Sequence, residues 1–187
     1  DGAYGQFMIV MPEQDVVLAI TAETPDMQEE INLVWQYLLP AFSNQKLPAN
    51  TTAYTQLQKK LKSLALPLGD KKTSGLANTI SGKKFTVSSN NTSIQTISFH
   101  FGNAACNVSV EVGGKSYSFP FGLGNWKAGT SNLPGPSLTA AAIENTSMLY
   151  PAKTEGSYTW KDNNTLELVL RYIESPHSEV YTCHFDG

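Results

Sequence analysis

From about residue 76 the spacing of apolar residues changes from helical to alternating, and this change constrains the fold most. The alternation predicts seven strands: Lys83–Ser88, Ile94–Phe101, Ala105–Val112, Lys115–Phe119, Ser157–Trp160, Thr165–Ile173 and Glu179–Phe185. The connections are short, and Gly113-Gly114 between two of these strands is typical of a hairpin turn. We therefore expect either an antiparallel meander sheet or a lipocalin-like barrel.

Strict alternation also predicts which side chains share a face of the sheet. In the second strand one face carries Ile94, Thr96, Ser98 and His100, and the other carries Gln95, Ile97, Phe99 and Phe101. Residues 122–136 are predicted to form a loop or a lid, because glycine and proline interrupt the pattern. Residues 140–150 fit a strand and a short helix equally well.

The start of the chain predicts a β-hairpin. Gln6–Met11 and Val16–Thr21 are both apolar at nearly every position, and the polar turn Pro12–Asp15 separates them. A strand without alternation is typical of burial on both faces. Because an isolated hairpin is marginally stable in water, we expect neighbouring strands or a second copy of the chain to cover it.

A helix is predicted directly after the hairpin. Thr24 is a suitable N-cap and Pro25 suits the first helical position. The apolar residues that follow have helical spacing and give one face: Met27, Ile31, Val34, Trp35 and Leu38.

These patterns divide the chain into three parts. Residues 1–42 hold the hairpin and its helix, residues 43–75 form a linker with one helix at about 51–65, and residues 76–187 form the β-rich part. The predicted class is therefore α+β, mainly β, with two or three helices.

Composition excludes several function classes. The net charge is −3 and no basic stripe occurs, so we expect no nucleic-acid partner. No apolar run approaches the length that crosses a bilayer. Charged residues make up only 16 % of the chain, and Gly, Ser, Thr and Asn are abundant. This balance favours a periplasmic or secreted protein.

The two cysteines leave their state open. Cys106 and Cys183 lie in strand patterns and fit no zinc motif. A disulfide between them would contribute roughly 4–5 kcal/mol, and two buried free thiols are an equal alternative. Neither a metal nor a cofactor is predicted.

The first 42 residues also resemble a known family. The segment Asp-Gly-Ala-Tyr-Gly-Gln-Phe-Met-Ile-Val-Met-Pro-Glu-Gln-Asp-Val-Val-Leu-Ala-Ile-Thr-Ala-Glu, then Thr-Pro-Asp and a helix ending at Phe42, resembles the C-terminal end of serine β-lactamase-related domains. These domains occur in class C β-lactamases, penicillin-binding proteins and esterases. The resemblance implies that residues 1–42 are the last two strands and the closing helix of such a hydrolase domain.

The family's catalytic motifs are a Ser-x-x-Lys nucleophile, a tyrosine motif and a Lys-Thr-Gly-like strand. The resemblance places all three upstream of Asp1, so we expect this chain to be a piece of a larger serine hydrolase and to be inactive alone. Ser43–Lys46 and Ser81–Lys84 match Ser-x-x-Lys, but neither pattern starts a buried helix, where that chemistry operates. The string Lys127-Ala128-Gly129 is expected in a loop.

Two further functions are open for the β-rich part. It resembles the accessory domains, some of them lipocalin-like, that follow such hydrolase domains, and there it would brace or modulate the parent domain. The alternative is a lipocalin-like module that binds a small ligand or a glycan. Its candidate ligand-binding residues are Tyr117, Phe119, Phe121, Trp126 and Trp160; the competing interpretation is that these aromatic residues simply pack the core. A homodimer through the N-terminal hairpin is a third expectation.

Overall fold

The computed structural model describes residues 2–133, 135 and 151–186, so residues 140–150 lie outside the described part. The chain forms two compact units, which we call the N-terminal unit (to Leu66) and the C-terminal unit (from Pro67). Strands predominate over helices, which confirms the predicted α+β, mainly β class.

The N-terminal unit opens with the predicted hairpin. Strand β1 (Phe7–Met11) pairs antiparallel with β2 (Val16–Ile20), and the register places Met11 opposite Val16. A 3-10 turn joins the strands, and Asp15 closes it with a φ of 52°. This left-handed conformation is tolerated by aspartate better than by bulkier residues.

The hairpin has one covered face and one exposed face, whereas the apolar run predicted two buried faces. Phe7, Ile9 and Leu18 are partly buried. On the opposite face Met8 is 74 % exposed, and Val17 is 66 % exposed. Within the described residues of the N-terminal unit, nothing covers this second face.

The helix after the hairpin begins later than predicted. Helix α1 (Met27–Leu33) is capped by Asp26, whose Oδ1 accepts a hydrogen bond from the Glu29 N–H at 3.0 Å. The predicted cap Thr24 instead accepts a hydrogen bond from the Asp26 N–H at 3.1 Å. This local bond uses the threonine hydroxyl in a turn, so Pro25 precedes the helix rather than starting it.

The helix continues as a π-helical turn (Val34–Leu38) and a 3-10 turn (Leu39–Ala41). A π turn holds more residues than an α turn, so it changes the helical spacing on which the predicted apolar face depended. Val34 is buried as predicted, whereas Trp35 and Leu38, within the π turn, are exposed.

Helix α2 (Thr51–Lys62) begins at the cap Asn50, whose Oδ1 accepts a hydrogen bond from the Ala53 N–H at 2.9 Å. It ends three residues before the predicted end at residue 65. The apolar side chains of its stripe are all exposed: Tyr54, Leu57, Leu61 and Leu64.

The C-terminal unit begins with a segment bound to the sheet. The Thr159 hydroxyl donates to the Asp70 carbonyl at 2.5 Å, and the Ser74 hydroxyl donates to the Asn163 carbonyl at 2.6 Å. Residues 70–74, part of the predicted linker, thus lie against the β-rich part. A short helix α3 (Leu76–Ile80) follows, which the sequence did not predict.

Within the described residues, eight strands form one curled, half-barrel sheet. They are β3 (Lys84–Thr86), β4 (Ile94–Phe101), β5 (Ala105–Val112), β6 (Lys115–Leu123), β7 (Lys127–Ser131), β8 (Ala152–Trp160), β9 (Thr165–Tyr172) and β10 (His177–His184). The order is β10-β9-β8-β6-β5-β4-β3, and β7 pairs with β8 off this path. The strands β3 and β10 therefore lie at the two ends of the order.

The sheet is mixed rather than wholly antiparallel. Strands β6 and β8 pair in parallel, with Gly122 opposite Ser157 and Leu123 opposite Tyr158. The region predicted as a loop or lid supplies the end of β6 and all of β7, so Lys127 starts a strand.

A bulge in β4 changes the predicted faces of that strand. The register with β5 shifts between Ile94 and Thr96. One extra residue on a strand moves the following side chains to the other face. Ile94 therefore joins Ile97 on the core side, whereas strict alternation placed the two on opposite faces.

The core lies inside the curl and is aromatic at one end. Its most deeply buried side chains include Phe99, Cys106, Trp160, Leu166 and Leu168.

Candidate functional site

A small apolar cavity lies inside the curled sheet. Its volume is about 50 Å³. Strands β4, β5, β6, β9 and β10 all contribute to its lining, and Leu133 closes part of it. Its apolar lining offers a water molecule few hydrogen-bond partners.

A carboxylate on β10 is hydrogen-bonded to two tyrosines that line this cavity. The exposure of β10 alternates, and Glu179, Tyr181 and Cys183 share its less exposed side. Glu179 is opposite the buried Leu170, and Tyr181 is opposite the buried Leu168. Glu179 therefore lies on the inward face of the sheet, where carboxylates are rare.

Two tyrosine hydroxyls hold the Glu179 carboxylate. Tyr172 donates to Glu179 Oε2 at 3.3 Å, and Tyr181 donates to the same oxygen. Both tyrosines also line the cavity. Burial raises the pKa of Tyr181, and the hydrogen bond to Glu179 raises it further, so this hydroxyl keeps its proton and remains a donor.

Two of the predicted ligand-binding residues reach the cavity. Phe119 and Phe121 alternate on β6 and line it together. Tyr117 is packed against the core and also lines an open polar groove of about 680 Å³ with Ser116 and Thr130. Tyr117, Phe119 and Phe121 share one side of β6.

The two predicted tryptophans lie apart from the cavity lining. Trp160 is 1 % exposed and stacks obliquely against Phe101, with 6.0 Å between ring centroids. Trp126 lies under the Arg171 guanidinium, whose central carbon is 5.7 Å from the ring centroid. This distance is that of a cation–π contact. The candidate set is thus distributed between the cavity, the packed core and a half-buried cation–π contact.

The two cysteines are free thiols in the core. Burial raises the pKa of Cys106 to about 12 and the pKa of Cys183 to about 11. The Tyr158 hydroxyl lies in the same environment, and burial raises its pKa as well. Neutral thiols of this kind are poor nucleophiles and poor metal ligands.

Neither Ser-x-x-Lys string has the geometry of a nucleophile. Ser43 follows a helix, and its hydroxyl accepts a hydrogen bond from the Gln45 N–H at 3.2 Å. The Ser81 hydroxyl accepts one from the Phe101 N–H at 3.0 Å. Lys84 lies in β3, and its amine forms an ion pair with Glu111 at 2.6 Å. The amine is therefore paired with a carboxylate instead of a serine hydroxyl.

Two further features of the described residues concern metals and membranes. No group of three or more His, Cys, Asp or Glu side chains among them is placed to hold a metal ion. None of the helices in the same residues has the length and apolar character needed to cross a bilayer.

The sequence contained a signal for the tyrosine–glutamate cluster that the prediction missed. Glu179 and Tyr181 are two residues apart in a predicted strand, so alternation places them on one face. A charged residue on the apolar side of a strand is an unusual feature and marks a candidate site.

No family model, curated protein or solved structure matches the chain. The relation to β-lactamase-related domains stays a prediction from the residue pattern of the first 42 positions.

Proposed function

We propose that the chain is a non-catalytic part of a β-lactamase-related serine hydrolase. In this proposal the hairpin β1–β2 completes the sheet of a hydrolase domain, and the C-terminal unit braces or modulates that domain. The setting would be periplasmic or secreted, as the composition favours.

The exposed apolar face of the hairpin supports this proposal most. Met8, Val10 and Val17 are each more than 60 % exposed on one face of a two-stranded sheet. A two-stranded sheet is marginally stable without cover, and its edges carry main-chain groups that pair readily with another strand. The sheet of a hydrolase domain would supply both the cover and the pairing.

The lack of nucleophile geometry at both Ser-x-x-Lys strings supports the non-catalytic part. We expect the purified chain to show no turnover of a chromogenic β-lactam or a p-nitrophenyl ester. Turnover that disappears in Ser43→Ala or in Ser81→Ala would overturn this part of the proposal.

The coding sequence upstream of Asp1 provides the first test. We expect it to encode a helix with Ser-x-x-Lys, a tyrosine motif and a Lys-Thr-Gly-like or His-x-Gly strand. A start codon or a signal peptide directly at that point would refute the proposal.

The second test is co-expression of the upstream polypeptide with this chain as two tagged proteins. We expect the wild-type chain to co-purify with it and the double variant Val10→Lys/Val17→Lys to be lost. Leu57→Lys on α2 is the matched control, because Leu57, like Val10 and Val17, is an exposed aliphatic side chain, at 54 % exposure. If all three chains co-purify equally, the hairpin face is not the docking surface.

Self-association through the hairpin is the competing outcome of the same test. A wild-type chain that sediments as a dimer, with Val10→Lys/Val17→Lys as a monomer, would assign this face to a second copy instead.

Binding of a small ligand by the C-terminal unit is a second proposal. The observation that favours it is the apolar cavity, in which the rings of Phe119 and Phe121 and the two tyrosines Tyr172 and Tyr181 take part. Ligand sites commonly combine an apolar lining with a few well-placed polar groups.

A further inference from the structure

Helix α2 carries an exposed apolar face. Within the described residues, every position of this helix except Gln58 is exposed to solvent. At about 100° per residue, Tyr54, Leu57 and Leu61 fall within an arc of about 60° and so share one face. Each of these three side chains is more than 50 % exposed. Contiguous exposed apolar surfaces mark places that bind a protein partner or a lipid bilayer.

Three lysines border this face or lie behind it. The same helical geometry places Lys60 and Lys62 at the two edges of the face and Lys59 on the opposite side. Lysines in the last turn of a helix interact favourably with its dipole, but this does not account for the exposed leucines beside them. The ion pairs found among the described residues involve other lysines, namely Lys72, Lys84, Lys153 and Lys161.

The sequence around α2 is basic, although the whole chain is acidic. From Ile31 to Gly69 there are four lysines and no aspartate or glutamate, whereas the net charge of the whole chain is −3. This segment therefore attracts a negatively charged surface. Lysine stems pack along apolar surface while their amines stay in water, so lysines at both edges of an apolar face fit a flat boundary between acyl chains and headgroups.

We propose that α2 docks on the surface of an anionic lipid bilayer. Tyr54, Leu57 and Leu61 insert to the level of the first acyl-chain carbons, and Lys60 and Lys62 contact lipid phosphate groups. The helix lies in the plane of the surface, because its 12 residues span only about 18 Å, less than the roughly 30 Å of a hydrocarbon core. This inference is independent of both proposed functions, since neither requires a lipid surface.

Flotation of the whole chain with lipid vesicles tests the proposal. One set of vesicles contains equal parts of phosphatidylglycerol and phosphatidylcholine, and the other contains phosphatidylcholine alone. We expect the chain to float with the anionic vesicles and to stay behind when the vesicles are neutral. Added salt should reduce the bound fraction, because it screens the lysines from the phosphate groups.

Two double variants separate the apolar and the charged contributions. Leu57→Ser/Leu61→Ser removes two inserted side chains, so we expect its affinity for the anionic vesicles to fall by about tenfold or more. Lys60→Gln/Lys62→Gln leaves the apolar face intact and removes both charges at its edges. We expect it to lower the affinity by about tenfold as well, since each lysine near an anionic surface contributes.

The C-terminal unit offers the matched controls. Lys83→Gln/Lys115→Gln removes the same charge from two exposed positions there, and Val180→Ser removes an exposed aliphatic side chain from β10. Both should float like the wild-type chain. Equal losses in the controls and in the α2 variants would show that net charge or general hydrophobicity decides binding, and the proposal would fail.

An environment-sensitive fluorophore locates the contact independently of these losses. The thiols of Cys106 and Cys183 are buried, so a nitrobenzoxadiazole label attaches selectively to a cysteine introduced on α2. On Leu61→Cys we expect the label to brighten and shift to the blue with anionic vesicles. On Gln56→Cys, at the polar side of the same helix, we expect little change.

Three results would overturn the proposal. The first is equal flotation with neutral and anionic vesicles, which would remove the role of the lysines. The second is a chain that floats with neither, which would leave the α2 face to a protein partner. The third is loss of flotation in Val10→Lys/Val17→Lys together with full flotation of Leu57→Ser/Leu61→Ser, which would assign lipid binding to the hairpin.

Discussion

The rings of Phe85 and Phe185 lie 5.7 Å apart, although Phe85 is in β3 and Phe185 directly follows β10. These strands are the two ends of the sheet order, so the contact joins edges that share no ladder of hydrogen bonds in that order. Phe99 and Trp160 extend the same cluster, with ring centroids 5.7 and 6.1 Å from that of Phe185. Side-chain packing thus holds the curl where backbone pairing ends.

Replacing Phe185 with alanine tests this role. We expect Phe185→Ala to lower the free energy of unfolding of the C-terminal unit by about 2 kcal/mol, because a partly buried ring is lost. Urea unfolding followed by tryptophan fluorescence measures the change, since Trp160 touches Phe185.

The control for Phe185 is Val180→Ala on the exposed side of β10, where Val180 is 61 % exposed. We expect it to cost less than about 0.5 kcal/mol, as surface substitutions usually do. Equal losses in the two variants would show that the ring cluster does not hold the edges together.

Alternation in the sequence predicted most strand positions, and β4 and β5 have the predicted bounds. It could not predict the bulge in β4, because one extra residue depends on pairing with β5 rather than on a local pattern. The consequence is specific: Ile94 lines the cavity beside Ile97 instead of facing away from it.

The parallel pairing of β6 with β8 was also beyond local reasoning. Gly122 and Gly156 interrupt apolar patterns and are typical of turns. In the fold they lie within strands, because β8 passes close to β6 there. Residues predicted as a loop form β7 because they pair antiparallel with β8, which is distant in sequence.

The candidate site was predicted in part. Phe119 and Phe121 were named because they are aromatic, and they do line the cavity. Glu179 was missed although alternation places it on one face with Tyr181. Its contact with Tyr172 could not be predicted, because it depends on a register between two strands that only the fold fixes.

Gly156 tests the close packing of β8 on β6. A Cβ at this position would lie 2.3 Å from the Pro120 carbonyl oxygen and 2.8 Å from Phe121 Cδ1. We expect Gly156→Ala to lower the free energy of unfolding by about 2–3 kcal/mol, because backbone must shift to admit the methyl group. Thermal unfolding by circular dichroism measures the loss.

Gly75→Ala is the matched control for Gly156, because a Cβ at residue 75 meets no atom within 4 Å. Its φ of −60° suits alanine, so this substitution should be neutral or stabilise by up to about 1 kcal/mol. Loss of stability at Gly75 equal to that at Gly156 would contradict the steric explanation.

Because the two thiols are buried, we expect them to react slowly with alkylating reagents at pH 8. The pKa values of Cys106 and Cys183, about 12 and about 11, leave little thiolate in the folded chain at that pH. We expect iodoacetamide to modify neither cysteine in the folded protein and both in urea, as measured by mass spectrometry. Rapid alkylation of the folded chain would refute the burial of these thiols.

The same raised pKa values predict a loss of stability in alkali. Above pH 9.0 the thiols ionise in the unfolded chain but stay protonated in the folded chain, so the folded state binds more protons. The free energy of unfolding therefore falls as pH rises towards 11 and 12, by up to about 1.4 kcal/mol per pH unit for each thiol. The double variant Cys106→Ala/Cys183→Ala should show a shallower fall, and an unchanged slope would contradict this linkage.

The pKa of the Glu111 carboxyl group is shifted downwards, opposite in sign to the shift of the thiols. A hydrogen bond from Lys84 Nζ at 2.6 Å lowers the pKa of its carboxyl group, and a weaker one from the Thr96 hydroxyl at 3.2 Å adds to this. A carboxyl group whose pKa is lowered by folding stabilises the folded state when the pH is above its unfolded-state pKa. This contribution disappears as the pH falls through the folded-state pKa. Because the pair is at the surface, the effect should be visible in the titration of the carboxyl rather than in unfolding curves.

Removing the Lys84 amine tests the cause of this shift. We expect the Glu111 carboxyl carbon to titrate at a higher pH in Lys84→Met than in the wild type, measured by carbon-13 NMR. Thr96→Val should raise the pKa by a smaller amount, because the hydroxyl is the weaker of the two donors. Lys161→Met, which removes a similar amine on the far side of the sheet order, should leave Glu111 unchanged. If Glu111 titrates identically in all four proteins, the ion pair between β3 and β5 does not exist in solution, because only a persistent contact shifts the pKa of a carboxyl group.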